Sequence, residues 1–288
     1  METETIINGI KEKKTRYLAK GISLVENGND QAYEIINQLF TYTGHAHYIG
    51  ITGNPGAGKS SLVNELARHY LKDGKKVAVL AVDPSSPISG GAVLGDRIRI
   101  DTDLMGENFY FRSISNRANL GGISSTTFES ILLLDAFGFD VILVETVGTG
   151  QSETSIMNIS HTNLVVTVPG LGDDVQAEKA GLLEVGDLFV VNKGDLPGAR
   201  EVKGQLKRMI ALRSYEEWKP KVIVTSTIDS TGITELMKKI VEHGEIADKT
   251  NRDRTSRFIT EKIEEQVKRE VMLKLEEYLS KQPIELED

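Results

Sequence analysis

The chain of 288 residues has no cysteine, which excludes a disulfide framework, a thiolate zinc centre and a cysteine nucleophile and fits a reducing interior. It also lacks a surplus of positive charge. Its 42 acidic residues against 34 basic give a formal charge of −8, the wrong sign for a general nucleic-acid or anionic-membrane surface. No apolar run approaches the roughly 18 residues of a spanning helix. Met1-Glu2-Thr3-Glu4 lacks the basic stretch and apolar core that open a secretion signal. These absences predict a soluble, cytoplasmic protein without a nucleic-acid or membrane partner. No internal repeat or low-complexity tract is evident, and the sole tryptophan, Trp218, reads as packing.

What is present is concentrated in a few short strings. Gly53-Asn54-Pro55-Gly56-Ala57-Gly58-Lys59-Ser60 is a complete G-x-x-x-x-G-K-[ST] phosphate loop, continued by Ser61. Its glycines let the backbone N–H groups turn inward on the phosphates, Lys59 reaches the outer phosphates, and the Ser60 hydroxyl takes a place on Mg²⁺. Both flanks suit the motif. Tyr48-Ile49-Gly50-Ile51-Thr52 is an apolar strand leading in, and Leu62, Val63, Leu66, Ala67 and Tyr70 form the buried face of a helix leading out. The N-terminal dipole of that helix adds to the anion site. The string therefore predicts a bound nucleoside triphosphate.

Beyond the phosphate-loop helix, Val77-Ala78-Val79-Leu80-Ala81-Val82 is a buried-type strand ending at Asp83. Strand, helix, turn and strand make a βαβ unit, so the first two strands run parallel through a right-handed crossover. Further strands are expected at Phe109–Arg112, Val141–Val144, Leu164–Val168, Leu188–Val191 and Val222–Thr225, with helices in most gaps. The fold class is α/β, a doubly wound, mostly parallel sheet. Residues 1–45 read as an N-terminal helical extension. Leu18, Ile22 and Val25 stand at helical spacing before the turn Asn27-Gly28-Asn29-Asp30, and a second helix runs over about 31–40. Residues 46–245 form the nucleotide domain and 246–288 a C-terminal helical arm. In that arm Ile259, Ile263, Val267, Val271, Leu275 and Leu279 recur every four residues, a stripe for docking on its own domain or for a dimer.

Asn192-Lys193-Gly194-Asp195 follows directly on a strand, at the sheet's carboxyl edge. In that place the string selects guanine, because the Asp195 carboxylate accepts from the ring N–H and the exocyclic amine, a pair that adenine does not offer. Ser226-Thr227-Ile228, after the next strand, is expected to close over the base through backbone N–H groups. Glu145, ending the strand Val141–Val144, suits an Mg²⁺ contact, and Gly148 offers its N–H to a γ-phosphate; a helix cap or surface acid is the alternative for Glu145. Asp83, at the tip of the second strand, is a candidate for Mg²⁺ or the attacking water. The glycine-rich stretch Gly90–Arg97 reads as a loop sensing the γ-phosphate, with Asp96 joining the metal on closure. Gly170–Asp174 and Lys179 read as another moving segment or as a solvated turn. His45 and His47 invite a zinc or nickel reading that the absence of cysteine disfavours.

With these strings in order, the chain resembles the MeaB family of methylmalonyl-CoA mutase-associated GTPases, members of which are also named lysine/arginine/ornithine transport-system kinases. The resemblance rests on Leu18–Glu26, Ile51–Ser60, Asp83–Pro87, Gly95-Asp96-Arg97-Ile98-Arg99, Glu145-Thr146-Val147-Gly148-x-Gly150-Gln151-Ser152-Glu153 and Pro169-Gly170-x-Gly172-Asp173. It implies a P-loop NTPase of the SIMIBI type with N- and C-terminal helical extensions, and a homodimeric, Mg²⁺-dependent GTPase that binds GTP and GDP. It further implies a chaperone for an adenosylcobalamin-dependent acyl-CoA mutase, gating cofactor loading and guarding against inactivation. By the same resemblance Lys59, Ser60, Asp83, Asp96 and Glu145 surround the metal and phosphates, and Lys179 falls in a third switch. The chain has no D-x-H-x-x-G string, position 45 being His, so cobalamin belongs to the partner. The tail ending at Asp288 is short for the family. Two rival readings are a nickel-type metallochaperone GTPase, which needs a metal-ligand cluster, and an ATP-dependent kinase linked to amino-acid transport, which Asp195 opposes.

Overall fold

Strands β1 (His47–Gly53), β2 (Val77–Pro84), β3 (Phe109–Asn116), β4 (Val141–Thr146), β5 (Thr162–Thr167), β6 (Leu188–Val191) and β7 (Lys221–Val224) form one sheet, ordered β3-β2-β4-β1-β5-β6-β7. The computed structural model describes residues 2–84, 100–116, 124–146, 156–170, 184, 186–215, 217–247, 271–272 and 274–275. Every strand pair is parallel. Each strand expected from the sequence is present. β1 and β2 are parallel as the βαβ unit requires but not adjacent: β4 lies between them, with Val141 in register with both His47 and Val77. A strand as uniformly apolar as Val-Ile-Leu-Val suits a position covered on both faces.

Alternate residues along the strands face opposite layers. On one face Ile49, Ile51, Val79, Leu143 and Val190 meet helix α4 (Lys59–Lys72) and a helix over 233–247, numbered α7 below, through Leu62, Leu66, Leu236 and Ile240. On the other, Tyr48, Leu80, Val82, Ile142 and Val144 lie under α1 (Thr3–Lys11), α2 (Thr15–Glu26), α3 (Asp30–Leu39) and α5 (Ser124–Phe137). α6 (Ala199–Ala211) covers Phe189, Val191 and Val222 on that same side. This two-sided cover is why the strands read as continuous apolar runs. No helix among the described residues is long and apolar enough to cross a membrane.

The N-terminal region differs from its sequence reading in one respect. The expected helix before the Asn27-Gly28 turn is two helices, broken at Lys13, whose φ of +59° is left-handed. The physical reason lies across the fold: from this turn the Lys13 ammonium donates to the Ala136 carbonyl oxygen at 3.1 Å, capping the last turn of α5. Leu18, Ile22 and Val25 are buried as expected, together with Ile6, Ile7 and Ile10. The linker from α3 into β1 is latched by the buried Asp135 carboxylate of α5. It accepts from the amides of Gly44 (2.6 Å), His45 (3.2 Å) and Ala46 (3.1 Å) and from the Tyr48 hydroxyl (2.5 Å). Of the tail helix expected over Thr255–Leu279, only residues 271–272 and 274–275 are described, all of them helical.

Candidate nucleotide site

Because all seven strands point the same way, their carboxyl ends share one edge of the sheet, and β1, β2, β4 and β6 deliver Gly53, Asp83, Glu145 and Asn192 to it. Open α/β sheets bind ligands at this edge. Gly53 leaves β1 at φ +136°, and a Cβ there would lie 1.9 Å from the Val166 carbonyl oxygen, so no other residue fits. Gly58, at φ +82°, opens α4 without a side-chain cap. The first-turn N–H groups therefore have no side chain of the cap to bond and face the loop, as an anion site requires.

Lys59 is buried, and its ammonium donates to the carbonyl oxygens of Gly53 (2.5 Å) and Asn54 (3.1 Å). The cation thus lies across the mouth of its own loop. Asn54, Pro55, Gly56 and Ala57 form the turn, closed by the Ala57 amide donating to the Asn54 carbonyl oxygen at 3.1 Å. Ser61 is exposed on the first turn of α4. The Ser60 hydroxyl donates to Glu145 Oε1 at 2.6 Å, and Glu145 is only 4% exposed. A buried carboxylate bonded to the loop hydroxyl is a pair of hard oxygen donors of the kind Mg²⁺ takes, so these residues fit that ion. The Ser60 contact also sets aside the surface-acid alternative for Glu145. The adjoining Thr146 hydroxyl donates to Thr52 Oγ1 at 3.1 Å, fastening the end of β4 to the end of β1. Asp83 is placed by its backbone: β2 pairs with β4 at Ala81 and Glu145, so Asp83 stands two residues further toward the same edge. Asp96, Gly148, the stretch Gly90–Arg97, residues 171–174 and Lys179 lie outside the described residues.

The Asn192-Lys193-Gly194-Asp195 string meets the phosphate loop directly. The Asn192 amide nitrogen donates to the Ala57 carbonyl oxygen at 2.9 Å, and its Oδ1 accepts the Thr225 hydroxyl at 3.1 Å. Asn192 is buried and acts as a strut between the loop and the end of β7. Lys193 turns the chain at φ +54°, and the Gly194 amide donates to the Thr225 carbonyl oxygen at 2.8 Å. A Cβ at Gly194 would come 2.5 Å from Val224 Cγ1, so the close approach of the two loops depends on glycine. The Asp195 carboxylate is exposed beyond this junction. Of the three amides expected to close over the base, that of Ser226 is committed elsewhere: it donates to the Thr231 carbonyl oxygen at 3.0 Å. Thr227, next to it, is half-buried, and Ile228 is exposed. The bonding roles of Thr225, Thr52 and Thr146 escaped the sequence reading, because threonine at a strand end is ordinary and its partners come from other strands.

His47 belongs to the opposite end of the sheet. Its Nε2 lies 2.8 Å from the Thr162 hydroxyl, which in turn is 2.9 Å from His243 Nδ1, and His243 Nε2 is 3.3 Å from Asp187 Oδ1. Trp218 packs its ring edge on His243 and donates to the Asp187 carbonyl oxygen at 2.9 Å. Among the described residues, no three His, Asp or Glu side chains are grouped to hold a metal ion.

The family described as Methylmalonyl Co-A mutase-associated GTPase MeaB matches residues 18–282. A Pyrococcus abyssi protein provisionally named a GTPase is 44% identical over 269 residues, 92% of this chain and 82% of its own length. The mouse protein named methylmalonic aciduria type A homolog, mitochondrial, is 38% identical over 193 residues, 65% of this chain and 46% of that protein. Among solved structures, one described as LAO/AO transport system kinase superposes with a TM-score of 0.74 at 27% identity, covering 92% of this chain and 84% of its own. HypB from Helicobacter pylori in complex with nickel shares the fold alone, with a TM-score of 0.51 at 16% identity over 74% of this chain and 93% of that one.

Proposed function

The chain belongs to the MeaB family of methylmalonyl-CoA mutase-associated GTPases, and from that premise we propose that it hydrolyses GTP as the chaperone of an adenosylcobalamin-dependent acyl-CoA mutase. In this reading the nucleotide state gates cofactor loading and protects the mutase from inactivation, and the working form is a homodimer. The observation that supports guanine-nucleotide binding most directly is the Asn192 bond to the Ala57 carbonyl oxygen at 2.9 Å. It sets a base-reading string against a phosphate loop so that one nucleotide spans both.

The chemistry follows from the residues at the edge. Lys59 exchanges two loop carbonyl oxygens for phosphate oxygens and places its charge where negative charge develops during in-line attack by water. Ser60 and Glu145, joined by Asp83 and Asp96 as the family resemblance implies, would hold Mg²⁺, which would supply charge neutralisation at the phosphates. The Asp195 carboxylate accepts from the guanine ring N–H and exocyclic amine.

The test is turnover of GTP by the purified protein, alone and with a methylmalonyl-CoA mutase from the same source, beside an ATP control. Faster GTP turnover with the mutase is the expected result. GTP hydrolysis that the mutase leaves unchanged would remove this client and keep the GTPase. Preference for ATP would remove the guanine assignment and favour the kinase reading carried by the description of the solved relative.

A further inference from the structure

The loop after β7 is a folded unit. The Ser226 amide donates to the Thr231 carbonyl oxygen at 3.0 Å and the Thr231 amide to Asp229 Oδ1 at 3.1 Å, which holds the Asp229 carboxyl below its usual range. Its inner end is pinned through Thr225, bonded to Asn192 and Gly194. Its outer corner is Ser230, at φ +56°, a conformation that residues other than glycine rarely adopt. That corner is fastened as well: the Ser230 hydroxyl donates to Glu65 Oε2 at 3.1 Å.

Glu65 stands on α4, the helix whose first turn carries Lys59 and Ser60. Its side chain is 14% exposed, and a carboxylate so far withdrawn from water needs partners. It has two. Oε2 takes Ser230, and Oε1 pairs with the Arg68 guanidinium, which also reaches Asp101 at 2.7 Å and Asp103 at 3.4 Å. One rigid helix therefore holds the phosphate loop at its start and the base-side loop further along. Base and phosphates of a nucleotide are a fixed distance apart, so the separation of these two loops decides whether both ends engage together.

We propose that Glu65 is a positioning residue for nucleobase recognition: by clipping Ser230 to α4 it sets the base-side loop at the distance from the phosphate loop that a guanine nucleotide requires. This rests on the guanine reading above. It adds a residue that touches neither base nor phosphate and that no motif contains.

The test is calorimetric titration of GDP, ADP and inorganic tripolyphosphate, each with Mg²⁺, into the wild type, Glu65→Ala, Glu65→Gln, Ser230→Ala and the double alanine variant. Glu65→Ala and Ser230→Ala are each expected to weaken GDP by about three- to tenfold, the scale of one bond to a charged group. Tripolyphosphate should stay within about twofold, because the phosphate loop is untouched. Glu65→Gln, whose amide oxygen still accepts Ser230, should retain most GDP affinity, and the double variant should be no weaker than the worse single one. Unchanged GDP affinity in Glu65→Ala, equal loss of GDP and tripolyphosphate, or additive losses in the double variant would overturn the proposal. A wild type that binds GDP no better than ADP would instead sink the guanine reading beneath it.

Discussion

Asp195 and Asn192 divide the labour of one tetrapeptide. Asn192 is buried and spends its side chain on the Ala57 and Thr225 bonds, while the Asp195 carboxylate is exposed at the edge. The division predicts different phenotypes. Asp195→Asn is expected to weaken GTP by about two orders of magnitude or more and to gain affinity for xanthosine triphosphate, whose ring presents a carbonyl where guanine has an amine. Fluorescence titration with both nucleotides checks this, and unchanged GTP affinity would refute the role. The string itself was readable from the sequence. The assignment of Asn192 to the scaffold was not, since it depends on Ala57 and Thr225 arriving from distant parts of the chain.

At the scale of the element, α4 serves two ends. Its N-terminus adjoins the phosphate loop and its body packs on the sheet, with Tyr70 only 6% exposed near its C-terminal end. Among the described residues the Tyr70 hydroxyl has no hydrogen-bond partner. Burial, with the nearby Asp73 charge second, pushes its phenol up. A raised tyrosine keeps its proton in the folded state after the unfolded chain has lost it. The folded state then binds more protons, and stability falls as pH climbs above the ordinary tyrosine value of about 10. Tyr70→Phe is therefore expected to be neutral or to stabilise by up to about 1 kcal/mol at pH 7, and to flatten the loss of stability above about pH 10 in urea titrations. Tyr48, raised chiefly by burial and then by Asp135, is the contrast: its hydroxyl holds the Asp135 latch. Tyr48→Phe should cost about 1–3 kcal/mol at neutral pH. The apolar face of α4 was legible as a periodicity, but nothing in that periodicity separates a satisfied tyrosine from an unsatisfied one.

For the whole molecule, α1, α2 and α3 close one face of the sheet together with α5. Ile6, Ile7, Ile10, Leu18, Ile22, Ile35 and Leu39 are all at most 2% exposed, and Arg112 of edge strand β3 reaches across to Ser23 at 3.0 Å and to Glu26. Removing residues 1–45 would uncover the apolar cluster that these helices share with α5. The expected outcome is loss of soluble, monodisperse protein in gel filtration and strong binding of an apolar dye. A truncated chain that stays monodisperse and binds nucleotide would show that the N-terminal helices are dispensable cover.

The sequence by itself determined the phosphate-loop string, the Asn192-Lys193-Gly194-Asp195 string, seven strands of a mostly parallel sheet and the family. Those features depend on contiguous residues whose backbone geometry or hydrogen-bonding pattern admits few alternatives, such as a glycine at φ +136°. Only the tertiary structure decided that β4 enters between β1 and β2, that Glu145 meets Ser60, that Lys13 breaks the first helix to cap α5, and that Glu65 holds Ser230. Each of these joins residues far apart in the chain. A carboxylate at a strand tip or on a helix reads the same in one dimension whether its partner is a loop serine, a distant arginine or water.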